Sequence, residues 1–197
     1  MTFVIVGIQY LFYFQRISSD PSSTSSCVCR NHLNQSVDWF IIYKLPRLPR
    51  STDPLIANGT GYIYLDSSSS LDQWHFSSES IASSLSLTGL TLGPLYKSKE
   101  YSFMFYNDQP PNHSILLIYG HSKGVLAFHD QTQTGFWLIH SVPQFPSIIE
   151  EGYKYPDSGI IFNLDFQNSN VSVVQKRSSI WSNNVMHDIE CICFITE

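Results

Sequence analysis

Apolar positions recur along the chain in short β-branched and aromatic runs separated by turn-forming residues, a pattern of strands more than of long helices. Val37 to Leu45 (V-D-W-F-I-I-Y-K-L) is closed by Pro46 and predicts a strand. Tyr62–Leu65 predicts a second strand after the Gly59-Thr60-Gly61 turn. Four further strand-like runs, Tyr101–Tyr106, Ile115–Tyr119, Val125–His129 and Phe136–His140, are separated by N-D-Q-P-P, G-H-S-K-G and D-Q-T-Q-T-G, and the last two form a predicted hairpin. Between Leu71 and Leu87, Trp74, Ile81 and Leu85 keep rough helical spacing, with Gly89 and Pro94 as stop signals, so the main helix is expected there. Near the start, Phe3 to Phe14 is apolar except for Gly7 and Gln9, too short to cross a bilayer but of signal-peptide length. Residues 1–26 therefore read as a signal peptide and Ser-rich linker, with a buried N-terminal strand as the competing reading.

Composition adds limits to that picture. With 197 residues, 43% hydrophobic and 14% charged, the chain is long and apolar enough to bury a core. Its formal charge of −5 argues against a passive basic nucleic-acid binder at neutral pH, but seven histidines can reverse the sign in a mildly acidic compartment. Four N-x-Ser/Thr sequons, at Asn34, Asn58, Asn112 and Asn170, favour the secretory route. Cysteines form two C-x-C pairs, Cys27/Cys29 and Cys191/Cys193. A single intervening residue is unusual for structural zinc, so disulfides of any of three connectivities, or thiols, are expected before metal.

The densest chemistry lies at Gly120-His121-Ser122-Lys123-Gly124. In an extended chain His121 and Lys123 project to one side, where an imidazole can attack phosphorus or move a proton and an ammonium can neutralise a phosphate oxygen. The same residues fit G-x-S-x-G, which would make Ser122 an esterase nucleophile. That elbow requires a following helix, whereas Val125-Leu126-Ala127-Phe128 reads as strand. An H-x-K triplet alone is most often solvated surface.

Five segments decide between these readings: Val37–Pro46, Tyr62–Asp66, Tyr106-Asn107-Asp108-Gln109-Pro110-Pro111, Gly120–Leu126 and Gly135–Pro143. In that order they resemble the deoxyribonuclease II family, over roughly residues 27–159 and ending at Tyr155-Pro156-Asp157-Ser158-Gly159. The resemblance implies a phospholipase D-like α/β fold, a mixed sheet with flanking helices. It also implies metal- and cofactor-independent DNA cleavage at acid pH leaving a 3′-phosphate, and a secreted or lysosomal glycoprotein without stable membrane insertion. His121 and Lys123 fall on the family's first H-x-K motif, as nucleophile or acid–base group and phosphate ligand. His140 falls on a histidine of the H-S-V-P segment, with a supporting role, and Asn107 and Asp108 are expected to form a turn. Family members carry a second H-x-K that this chain lacks, and 160–197 does not resemble their continuation. One incomplete half of a pseudo-dimeric fold, from a shortened product or gene model, is therefore expected, active as a homodimer about His121 or persisting as an inactive DNA-binding homologue.

Overall fold

A computed structural model describes residues 2–6, 11–15, 26–70, 73–111, 123–156 and 188–195. Its strands are β1 (Thr2–Val6), β2 (Leu11–Gln15), β3 (Cys29–Arg30), β4 (Ser36–Val37), β5 (Trp39–Lys44), β6 (Tyr62–Asp66), β7 (His75–Phe76), β8 (Ser102–Asn107), β9 (Lys123–His129), β10 (Thr134–His140) and β11 (Asp188–Ile195). Nine of them make one sheet in the order β1-β2-β8-β9-β10-β11-β5-β6-β7, while β3 and β4 pair separately. Every described ladder of the large sheet is antiparallel. With helices α1 (Pro54–Asn58) and α2 (Leu87–Lys97), the architecture is mixed α/β with few helices. Among the described residues no helix is long and apolar enough to cross a membrane.

Period-two alternation explains the sheet's inner face. Phe103 and Phe105 of β8, Val125 and Ala127 of β9, and Phe136 and Leu138 of β10 are buried and stand opposite one another in register. Cys191 of β11 and Phe40 and Ile42 of β5 extend the same buried layer. Cys27 and Cys29 join it, so both cysteine-bearing ends of the chain meet in one core. Helix α2 covers this face through buried Leu87, Leu92 and Leu95, and the Tyr96 ring lies 6.2 Å from that of Phe105.

The helix lies later in the chain than its spacing predicts. Residues Ser77 to Ser86 are turns, because the hydroxyls of Ser77, Ser80 and Ser83 each accept from the backbone N–H two residues on. Trp74 and Leu85 are exposed while Ile81 is buried, so the three do not share a face. Ser86 caps the true helix by accepting from the Gly89 N–H at 3.0 Å, and Gly89 and Pro94 lie inside it. The short helix α1 is not among the elements the sequence pattern predicts; Asp53 caps Leu55 and Ile56, Pro54 opens it and Gly59 closes it at φ 71°.

The Phe3–Phe14 run supplies β1 and β2, which extend the sheet beyond β8. The expected strand at Ile115–Tyr119 lies outside the described residues. The β9–β10 hairpin is present in full register. Its turn is braced by His129, whose Nδ1 is 3.2 Å from the Thr132 N–H and 3.0 Å from the Thr132 hydroxyl.

Candidate active site

The antiparallel order brings the end of β8, the start of β9 and the end of β10 to one place. In register, Asn107 stands opposite Lys123, and Lys123 opposite His140. Alternation puts all three on the buried face, where an apolar row gives way to a polar one. Lys123 has no exposed surface and His140 is 4% exposed, against a strong statistical preference of such residues for water. Lysine in that position needs a counter-ion, and Asp108 supplies it: Lys123 Nζ lies 2.6 Å from Asp108 Oδ1, with both side chains fully covered.

Two loops hold this corner together. The Asn107 amide donates to the Phe145 carbonyl at 2.8 Å, and its Oδ1 accepts from the Gln109 N–H at 2.7 Å. The Gln144 N–H donates to the Gln109 carbonyl at 2.9 Å, so the end of β8 with its following loop and the loop after β10 are tied by two bonds. His140 Nδ1 accepts from the Val142 N–H at 3.2 Å, which leaves Nε2 as the proton-bearing nitrogen of the neutral ring. Its ring meets Phe145 edge-on at 5.2 Å. Burial pushes the Lys123 ammonium toward lower proton affinity, and the hydrogen bond and charge of Asp108 work against that shift.

His121 and Ser122 lie outside the described residues, as do the sequons at Asn112 and Asn170. Lys123 and His140 are brought together as cross-strand neighbours. Asn107 forms the expected turn bond, but Asp108 does more than turn the chain, a role that no local spacing reveals because its partner lies on another strand. Gly124 differs from its expected part as well. It sits within β9, where an added Cβ would collide with the Leu138 carbonyl and the Tyr106 hydroxyl, so it admits the Tyr106 ring instead of shaping a turn. Trp137 Nε1 donates to that hydroxyl at 3.0 Å. The segment after Ser122 is β9, a strand, which is not the geometry of the esterase elbow.

A second polar group lies across the sheet. His32 Nδ1 is 2.9 Å from the Tyr64 hydroxyl, and the Tyr64 ring is 5.7 Å from that of His75. His32 and Tyr64 border a groove of about 540 Å³ that Asn34, Phe76 and Glu79 also line. Asn34 and Asn58 are both exposed, as an acceptor asparagine must be. Among the described residues no three His, Cys, Asp or Glu side chains gather as a metal-holding group.

This fold and site define a mixed α/β protein with a buried lysine, histidine and aspartate at the end of a hairpin. The Deoxyribonuclease II family profile matches residues 28–187, and the chain belongs to the deoxyribonuclease II family. It is 42% identical over 139 residues to human deoxyribonuclease-2-beta, covering 66% of this chain and 36% of that protein. Plancitoxin-1 of Acanthaster planci is 40% identical over 68% of this chain and 38% of its own length. Cell death-related nuclease 6 of Caenorhabditis elegans is 36% identical over 69% of this chain and 35% of its own. The chain thus spans little more than a third of the length of these relatives.

Proposed function

We propose that this chain is a deoxyribonuclease II-type acid endonuclease that hydrolyses DNA phosphodiester bonds without a metal and leaves 3′-phosphate ends, on one half of a phospholipase D-like scaffold. The unit that carries it is 27–159, with β11 completing its sheet between β10 and β5. What supports the reading most is that, in a member of this family, the lysine of the single H-x-K sits in register beside His140. In this reading the His121 imidazole attacks phosphorus and the bond to the 5′ oxygen breaks. A second imidazole donates its proton to that oxygen, and water then splits the phosphohistidine to release the 3′-phosphate. Lys123 offsets charge on the non-bridging oxygens. Because Lys123 is fully covered, the groups over it must move aside for a phosphate to reach it.

One imidazole cannot attack and protonate in the same step, so in this reading the second is His121 of another copy of the chain across a two-fold axis, with His140 in support. Exposure of Asn34 and Asn58 supports a secreted or lysosomal glycoprotein, tested by a mobility shift on glycosidase treatment that disappears in N34Q and N58Q. The activity is tested by nicking of supercoiled plasmid in mildly acidic buffer with chelator. His121→Ala is expected to abolish it and Ser122→Ala to leave most of it. Binding of a labelled oligonucleotide without cleavage would instead favour an inactive DNA-binding homologue.

A further inference from the structure

We propose that Asp108 is the positioning residue for Lys123, fixing where the ammonium sits through a fully buried ion pair at the corner of the core. The inference extends the nuclease reading above, but its geometry stands without it. Lys123 is the first residue of β9 and Asp108 the first after β8, so the contact is made across the ladder in which Asn107 faces Lys123. Its 2.6 Å separation and complete burial make the pair a charge-assisted contact that water does not screen.

Asp108 is itself held from both sides. Asn107 is anchored to the Phe145 carbonyl and Gln109 to Gln144, so the carboxylate is carried on a backbone fixed at each neighbour. A lysine has four rotatable bonds and no rigid fork of donors, and only a fixed counter-ion can give its ammonium a fixed address. The other group facing this position is His140, the cross-strand neighbour on β10, which carries no balancing charge when neutral and repels the ammonium when charged. Asn107 and Gln109 are neutral. Asp108 is therefore the sole negative charge shown beside Lys123 among the described residues, opposing the effect of burial. Neither carboxylate oxygen of Asp108 nor Lys123 Nζ has an aligned hydrogen-bond partner among the described residues, so it is the close approach of opposite charges that holds the pair.

The test follows the Lys123 Nζ resonance by nitrogen-15 NMR across neutral and alkaline pH, assigned with Lys123→Arg, in the wild-type chain, Asp108→Asn and Asp108→Glu. In Asp108→Asn the ammonium is expected to discharge at lower pH than in wild type, with the proton-binding constant falling by about tenfold on loss of the adjacent opposite charge. Asp108→Glu should restore most of the difference. Coincident titrations in wild type and folded Asp108→Asn would overturn the proposal. So would an unrestored titration in Asp108→Glu, which also serves if Asp108→Asn fails to fold. Where plasmid cleavage is measurable, the alkaline limb of its pH profile should move with the Nζ titration, and kcat should fall more than KM rises. An absence of cleavage in all three proteins would count against the nuclease reading, while the NMR titration would still decide the role of Asp108.

Discussion

Removing Lys123 alone exposes what its burial costs the fold. In Lys123→Met the Asp108 carboxylate stays covered but loses the cation 2.6 Å away, and its other oxygen already has no donor among the described residues. Both side chains have zero exposure, so solvent screening, which reduces surface pairs to below about 1 kcal/mol, does not apply. The expected loss is that of a broken buried pair, about 3–5 kcal/mol. With an m-value of about 2 kcal/mol/M in urea, the unfolding midpoint falls by about 2 M. Replacing both partners with apolar groups, Asp108→Leu with Lys123→Met, removes the stranded charge and should bring stability back to within about 1 kcal/mol of wild type. Urea unfolding followed by tryptophan fluorescence measures all four corners of the cycle. A loss below about 1 kcal/mol in Lys123→Met, with additive single effects, would show that the pair is hydrated and refute the reasoning.

Gly124→Ala should destabilise by about 1–3 kcal/mol, since its Cβ meets Leu138 backbone as well as the Tyr106 ring, and calorimetry would contradict this if the melting temperature held. Asn107→Ala strips a buried donor from the Phe145 carbonyl and should cost about 1–3 kcal/mol in chemical unfolding, with no loss speaking against the two-loop tie. In alkali, burial pushes Tyr153 up to about 12 and raises Tyr62, Tyr96 and Tyr155. Above about pH 10 the unfolded chain sheds phenolic protons that the native chain keeps, so this contribution is intact below pH 10 and is lost as pH rises through the native values. Lys123 acts with the opposite sign, because its lowered proton affinity makes its burial less costly as pH approaches 10.5. Burial also raises Tyr64 and Tyr106 and lowers Lys44, so six phenols outweigh two amines; tyrosinate absorbance should rise together with loss of circular dichroism, and free titration near pH 10 with the fold intact would contradict the burial.

Strands were legible where one face is buried and the other is not. In β8 and β10 the alternation of Phe103, Phe105 and Asn107, and of Phe136, Leu138 and His140, is visible in the sequence and reproduced in the sheet. Apolar spacing places the helix too early because serines make local hydroxyl-to-backbone bonds that compete with helix, an effect that the spacing of Trp74, Ile81 and Leu85 does not register. Helix α1 carries readable caps at Asp53 and Gly59 but is too short to show periodicity. At the candidate site, the H-x-K and H-S-V-P residues were found by resemblance, and the sheet register adds that Lys123 and His140 are neighbours. Local pattern marks Asp108 only as a turn residue, since pairing between strands is set by tertiary register and leaves no local mark. The same holds for Gly124, whose absent side chain answers to Tyr106 on the next strand.

Plasmid cleavage by the purified chain, in mildly acidic buffer with chelator and over a range of protein concentrations, tests the central claim most directly. The account expects nicking that survives chelation, leaves 3′-phosphate ends, steepens where sedimentation shows dimer, and disappears in His121→Ala. Cleavage that requires a divalent metal, cleavage by a strict monomer, or no cleavage where the dimer is populated would contradict it.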